Sequence, residues 1–191
     1  SLVGSEMCIR DRPGGAHNVA NDKTKHLVRK WVPRVLRATA PRNSTNMDWI
    51  VFRVAELYLN YAEALNEYYE TPPKEAFDAV LKVRERSGMP GFPSTLNKKQ
   101  FREKLRRERA VELAYEDHRF WDIRRWLIAD DEGVMKGAMY GLQLSAVTGA
   151  PGKVHYKPYV FENRLWSDRS YLHPIKQTEI DKGYMLQNPG W

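Results

Sequence analysis

The chain has 191 residues, of which 42% are hydrophobic and 12% aromatic, a composition that excludes an intrinsically disordered protein. No apolar run approaches the ~20 residues that a membrane-spanning helix needs. The formal net charge is +7, but acidic and basic residues are interspersed along the chain. The densest basic run, KKQFREKLRRER at 98–109, is interrupted by Glu103 and Glu108, which is typical of a solvated helix face.

The first twelve residues, SLVGSEMCIRDR, show no helical or strand periodicity and contain the single cysteine, Cys8. One cysteine excludes an internal disulfide and a cysteine metal site. The segment EMCIRDR looks like the translation of a transposon end sequence used in DNA library preparation. We therefore expect residues 1–12 to be foreign and residues 13–191 to be the C-terminal portion of a longer protein.

Two antiparallel helices are predicted next, after a short strand favoured over 26–36. The sequence RVAELYLNYAEALNEYY predicts a helix from Arg53 to about Tyr69. A second helix is predicted over 74–86, in a segment where Thr71 can serve as N-cap, Pro72 as the first helical residue and Gly88 as C-cap. Because the connection is short, the two helices resemble one tetratricopeptide unit. The first helix has a wide apolar face, made by Val54, Leu57, Tyr58, Tyr61, Leu65 and Tyr68. Its opposite, polar stripe comprises Arg53, Glu56, Asn60, Glu63 and Glu67.

The segment 101–126, FREKLRRERAVELAYEDHRFWDIRRW, predicts a helix, a sharp corner at Asp117-His118 and a second helix. Asn97 or Thr95 can cap its start.

On the first of these two helices, the apolar stripe continues into two carboxylates, Glu108 and Glu112. An unpaired buried carboxylate costs roughly several kcal/mol, so both need cationic partners. The nearest candidates are Arg119, Arg124 and Arg125, which follow the corner. We predict a structural ion-pair cluster made of Glu108, Glu112, Glu116, Arg119, Asp122, Arg124 and Arg125.

The segment 130–166 is rich in glycine and contains several aromatic residues, which predicts a long surface loop with a strand at 155–161, HYKPYVF. The chain then closes with an extended piece, a single helical turn at 178–180 and a terminal turn at 188–190.

Three pieces occur in a fixed order: FRVAELYLNYAEALNE, RRERAVELAYEDHRFWDIRRW and LHPIKQTEIDKGYMLQNPGW. Together they resemble the C-terminal part of the SusD/RagB family of outer-membrane nutrient-binding lipoproteins, over roughly residues 26–191. Lys182-Gly183 departs from the family, in which an asparagine is common. The resemblance implies an all-α fold of tetratricopeptide-like helical hairpins with long irregular loops.

The same resemblance implies a non-enzymatic protein that captures glycans for uptake through a SusC-like TonB-dependent transporter. It implies attachment to the outer face of the outer membrane through an N-terminal lipidated cysteine, which would lie upstream of this sequence and is not Cys8. No cofactor and no metal is expected.

Sugar binding needs flat aromatic faces that stack on pyranose rings, together with polar groups that reach the hydroxyls. Among the loop aromatics we choose Tyr140, Tyr156 and Trp166 as candidate ligand-binding residues. For each of them, the alternative is an aromatic that anchors a loop or fills a core.

Two other classes of function stay open on the residues alone. Glu112, Glu116 and His118 could form an acid–base or metal site, but the nearby arginines favour ion pairing and the Glu-x-x-His spacing of di-iron helices is absent. A basic helical domain that binds nucleic acid would fit the net charge and the six tryptophans, yet these do not alternate with basic residues on one face. We expect neither.

Overall fold

The computed structural model describes Lys30 and residues 50–149 and 154–191. Residues 1–12, which are predicted to be foreign, lie outside this part of the chain. The strand predicted over 26–36 also lies outside it, except for Lys30. The described residues belong to two compact units, one with Lys30 and 50–119 and the other with 120–191. In chain order, the elements are α1 (Val54–Tyr68), α2 (Lys74–Glu85), α3 (Lys98–Glu112), α4 (His118–Arg125), β1 (Gly137–Ala146), β2 (Val154–Arg164), a 3-10 helix (Asp168–Tyr171) and α5 (Gln177–Ile180).

The first unit is a helical hairpin, α1 and α2, with α3 packed against it, which confirms the helical hairpin predicted from the sequence. Phe101 of α3 is fully buried, and its ring meets the edges of Phe77 and Phe92 at centroid distances of 4.9 and 5.7 Å. Burial of such side chains is the main stabilising term of the unit. The core comprises Leu59, Ala62, Ala76, Ala79, Val80, Val83, Phe101, Leu105 and Leu113.

Helix α1 does not use its widest apolar face for this core. The buried residues of α1 are Leu59, Ala62 and Asn66, which lie on a narrower face of small and medium side chains. Most of the wide face named above is exposed. Sequence periodicity identifies an apolar face, but it does not say which neighbour covers that face.

Helix α2 begins at residue 74 as predicted, but the predicted roles of Thr71 and Pro72 at its start are wrong, whereas the predicted cap of α3 is confirmed. Helix α2 begins at Lys74, and its N-cap is Pro73, which is extended at φ −74° and ψ 163°. Pro72 cannot be the first helical residue because a residue before proline is driven out of the helical region. Asn97 caps α3 in a capping box: its Oδ1 accepts from the Gln100 backbone N–H at 2.9 Å, and Gln100 Oε1 accepts from the Asn97 backbone N–H at 3.1 Å.

The corner between α3 and α4 lies where the sequence predicts it. Tyr115 and Asp117 both have a φ of 62°, in the left-handed region that few residues adopt, and α4 begins at His118. Two left-handed residues so close together are incompatible with a helix that continues through this segment.

The second unit contains an antiparallel β-hairpin where a long loop with one strand was predicted. The predicted strand at 155–161 is confirmed within β2, but its partner β1 was missed. Gly137 and Gly141 lower the strand propensity of β1, so the sequence predicted neither this strand nor its pairing with β2. The predicted helical turn at 178–180 lies within α5. Among the described residues, no helix is both long enough and apolar enough to cross a bilayer.

Candidate functional site

Two buried carboxylates, Glu112 and Glu116, are held by the same guanidinium. Arg53 donates from Nη1 to Glu112 Oε1 at 2.5 Å and from Nε to Glu116 Oε2 at 2.7 Å, and its Nη2 donates to the Glu112 backbone carbonyl at 2.7 Å. Arg86 donates to Glu112 Oε1 at 2.5 Å, and Lys30 pairs with Glu116 Oε1. Three cations therefore surround two carboxylates.

The predicted partners of these carboxylates are wrong. Arg119, Arg124 and Arg125 were chosen because they are near in sequence. The cations on Glu112 come instead from Arg53, just before α1, and Arg86, at the end of α2. These contacts join residues 59 and 26 positions apart, so only the packing of the helices brings them together.

Three other members of the predicted cluster, Glu108, Asp122 and Arg125, have partners other than Glu112 and Glu116. Arg84 of α2 pairs with Glu108, and Asp122 pairs with Arg125 within α4 at 2.9 Å. Within the predicted cluster, Asp122 and Arg125 therefore pair with each other, whereas Glu108 takes its partner from α2.

The electrostatics of Glu116 favour a structural role over acid catalysis. Burial raises the pKa of this carboxyl, but hydrogen bonds from Arg53 and Lys30 outweigh burial and hold its pKa below the ordinary value. A general acid needs the opposite shift. His118, the third residue of the acid–base hypothesis, contacts α1 and not these two carboxylates: its Nε2 lies 3.6 Å from Glu56 Oε2. Within the described ranges, no group of three or more His, Cys, Asp or Glu side chains is arranged to hold a metal ion.

The basic run 98–109 is not simply a solvated face, because two of its arginines bind the polar stripe of α1. Arg102 makes a bidentate pair with Glu67, at 2.7 and 2.5 Å. Arg109 is buried and donates to Asn60 Oδ1 at 2.5 Å. The basic run therefore joins α3 to α1, and the two arginines that bind α1 are not available to contact the phosphates of a nucleic acid.

Tyr140 and Tyr156 lie on the same face of the β-hairpin. Tyr140 pairs with Val160, Leu142 with Pro158, and Tyr156 with position 144. Because every second residue of a strand faces the same side, these residues share one face of the sheet. The two tyrosines are 66% and 57% exposed. Because positions 140 and 144 are four residues apart on β1, the rings are separated by about 14 Å along the strand. We call Tyr140, Leu142, Tyr156, Pro158 and Val160 the hairpin face.

The hairpin face carries no charged side chain at these five positions. Near its base, Glu162 and Arg164 pair with each other at 3.2 Å. The two tyrosines were predicted from the sequence as loop aromatics, but Leu142, Pro158 and Val160 were not predicted. The period-two alternation of apolar residues at 140 and 142 and at 156, 158 and 160 was the signal that could have found them.

Trp166 lies outside the strands, in a cluster of aromatic rings around Arg124. Its ring meets the edge of Tyr171 at 5.3 Å, and the Arg124 guanidinium lies 5.2 Å from it. The same guanidinium stacks on Phe120 at 3.5 Å. The ring of His173 also stacks on Phe120, at a centroid distance of 6.1 Å. Trp166 is half-buried here, so its surroundings are those of an aromatic that anchors a loop.

Tyr171 also fastens the turn that follows α4. Its hydroxyl donates to Asp130 Oδ1 at 2.6 Å and accepts from the backbone N–H of Ala129 at 3.0 Å. Burial and this hydrogen bond raise the pKa of Tyr171, while the same bond lowers the pKa of Asp130. Tyr171 therefore ties the aromatic cluster to the backbone at Ala129 and Asp130.

The model of the SusD family matches residues 2–191, which is almost the entire chain. The chain belongs to the SusD family. The match begins within the first twelve residues, and the expectation that these are foreign stays a prediction.

Three similar proteins are each longer than this chain. SusD-like protein P25 of Formosa agariphila is 40% identical over 95 residues, which cover 48% of this chain and 18% of that protein. The solved structure of a SusD-like protein from Bacteroides fragilis is 33% identical, with a TM-score of 0.65 over 76% of this chain and 26% of the other. A SusD homologue from Bacteroides thetaiotaomicron is 30% identical, with a TM-score of 0.54 over 78% of this chain and 30% of the other. This SusD-family chain thus spans less than a third of the length of these relatives.

Proposed function

We propose that this chain belongs to a protein that captures glycans at the cell surface and delivers them to a SusC-like TonB-dependent transporter. The observation that carries the proposal is membership of the SusD family over almost the whole sequence. We further propose that the protein is held at the outer face of the outer membrane by a lipidated N-terminal cysteine upstream of this sequence.

The hairpin face is the ligand site that we propose within this chain. It presents two exposed tyrosine rings on one side of a sheet, as stacking on sugar rings requires, and each ring carries a hydroxyl that can hydrogen-bond to a sugar. Because its five positions carry no charge, it suits an uncharged portion of a glycan. Leu142 and Pro158 lie between the tyrosines and provide an apolar floor.

Binding to hairpin variants tests the site. We would screen the natural protein that contains this sequence on an oligosaccharide array and measure the best ligand by calorimetry for Tyr140→Ala and Tyr156→Ala. Loss of one stacking ring should weaken affinity about tenfold, and the double variant should lose more. Tyr184→Ala is the matched control, because Tyr184 is 63% exposed but lies off the hairpin.

The outcomes separate the site from the function. Equal affinity for the hairpin variants, the control and the wild type would place glycan binding elsewhere in the protein. Absence of binding to every oligosaccharide on the array would contradict glycan capture itself. Release of product from an incubated oligosaccharide would revive the enzymatic alternative at Glu112, Glu116 and His118.

A further inference from the structure

A groove on the solvent side of α3 is lined by side chains that the helical core does not use. We call it the α3 groove, and its lining residues are Leu96, Gln100, Glu103, Lys104 and Arg107. Leu96 is half-buried, whereas the other four are exposed. The volume of the groove is about 250 Å³. Pockets for drug-sized ligands hold about 300–1,000 Å³, so the α3 groove suits one sugar ring with its substituents.

The basic residues of α3 divide into those that bind α1 and those that line the groove. Arg102 and Arg109 bind side chains of α1, and Lys98 donates to a backbone carbonyl of α1 at 3.0 Å. Lys104 and Arg107, by contrast, have no carboxylate partner among the residues that the structure describes. Their positive charges are therefore available to a ligand.

The capping box of α3 fixes a third donor in the α3 groove. Gln100 Oε1 accepts from the Asn97 backbone N–H at 3.1 Å, so this end of the amide is engaged in the cap. The Nε2 group of the same amide is held by that contact and can donate to a ligand. A donor that is already ordered costs a ligand less binding free energy than one that binding must immobilise.

The lining of the groove has more donors than acceptors. Gln100, Lys104 and Arg107 donate, and Glu103 is the one carboxylate among the lining residues. Arginine binds a carboxylate through two parallel hydrogen bonds, and lysine adds a point charge that attracts any oxyanion. Glu103 can accept from a hydroxyl group, and Leu96 offers apolar surface to the C–H groups of a ring. An acidic group on a hydroxylated ring matches this set.

We propose that the α3 groove binds an acidic sugar residue, one that carries a carboxylate or a sulfate ester. The proposal rests on the glycan capture proposed above and names a substrate class for it, the anionic polysaccharides. The α3 groove is distinct from the hairpin face, which carries no charge at its five positions. Salt screens the attraction between exposed charges, so binding that depends on Lys104 and Arg107 weakens as salt rises, whereas binding that depends on Tyr140 does not.

Charge-reversal variants of the natural protein that contains this sequence test the groove. The probes are matched pairs on an oligosaccharide array, trigalacturonic acid with its methyl ester and sulfated galactose oligosaccharides with their desulfated forms. We expect the wild type to bind the acidic member of a pair about tenfold more tightly, measured by calorimetry. Lys104→Glu and Arg107→Glu should each abolish this preference. Lys99→Glu is the matched control, because it makes the same change of charge at an exposed position of α3 outside the groove.

A conservative variant separates the geometry of the site from its charge. Arg107→Lys keeps the charge but loses the two parallel hydrogen bonds, so it should weaken binding of the acidic sugar by roughly threefold. Full affinity in this variant would contradict the bidentate contact. Equal loss of affinity in Lys99→Glu and Lys104→Glu would show attraction by net charge and would overturn the site.

The remaining outcomes distinguish this proposal from glycan capture. Binding of neutral oligosaccharides that Lys104→Glu and Arg107→Glu leave unchanged, with no preference for an acidic member, would overturn the α3 groove and leave glycan capture standing. Absence of binding to every oligosaccharide would contradict glycan capture itself. Tighter binding to lipopolysaccharide vesicles than to any acidic oligosaccharide, lost in the same two variants, would assign the two cations to the membrane surface and overturn the proposal.

Discussion

Replacing Arg53 should destabilise the helical unit far more than replacing Arg86, although both bind the same oxygen of Glu112. The Arg53 side chain is 18% exposed and bridges two carboxylates, whereas Arg86 is 56% exposed and contacts one. Arg53→Met keeps the apolar stem and removes the charge. The substitution removes no capping interaction of α1, because the Arg53 side chain makes no capping hydrogen bond there. Glu112 and Glu116 are then left with one cation each.

The magnitude follows from the burial of the two carboxylates. Breaking a buried ion pair by removing one partner costs about 3–5 kcal/mol, while an exposed pair is worth about 0.2–1 kcal/mol. Since Lys30 and Arg86 remain after Arg53→Met, we expect a loss of about 2–3 kcal/mol in the free energy of unfolding. The matched Arg86→Met should lose about 0.5 kcal/mol. Urea denaturation followed by circular dichroism measures both.

Acid should remove the difference between wild type and Arg53→Met. The pKa of Glu116 is lowered in the folded state, so its contribution to stability is present above the ordinary Glu pKa of about 4.3 and is lost as the pH falls through the lower folded value. The difference in stability should therefore be full at neutral pH and shrink below about pH 4. Equal losses for the Arg53 and Arg86 variants, or a difference that persists in acid, would refute a buried carboxylate pair held by Arg53.

Three further perturbations test separate parts of the protein. Asn97→Ala removes the capping box of α3 and should cost about 1 kcal/mol, measured by urea denaturation. Tyr171→Phe leaves the buried N–H of Ala129 without its acceptor and should cost about 1 kcal/mol, with faster amide exchange at that residue. Ligand binding that depends on Tyr140 should change little when salt rises from ~0.1 to ~1 M, because the hairpin face is uncharged at its described positions.

Each of these has an outcome that contradicts it. Retained stability in Asn97→Ala, with Asn97→Ser as the control that keeps a cap, would show that α3 does not depend on its first turn. Unchanged amide exchange at Ala129 would show that Tyr171 does not hold the turn. Steep weakening of ligand binding with salt would place charged groups in the site and would argue against the hairpin face.

Some features follow from the sequence alone because they are set locally. The helical period over 54–68 and 98–112 specifies helices, Asn97 or Thr95 is predicted as the cap of the second of them, and the motifs in fixed order indicate the family and its helical fold. The corner before His118 is local as well, since it interrupts the apolar period.

Other features were decided only by the tertiary structure. The cations on Glu112 come from other helices, the core takes a different face of α1 from the one its pattern favours, and Tyr140 and Tyr156 share a surface through pairing of β1 with β2. A sequence pattern shows which residues share a face, but the neighbour that meets this face is chosen by packing between distant segments. Coulomb attraction and hydrogen bonding then act between whatever groups that packing brings together.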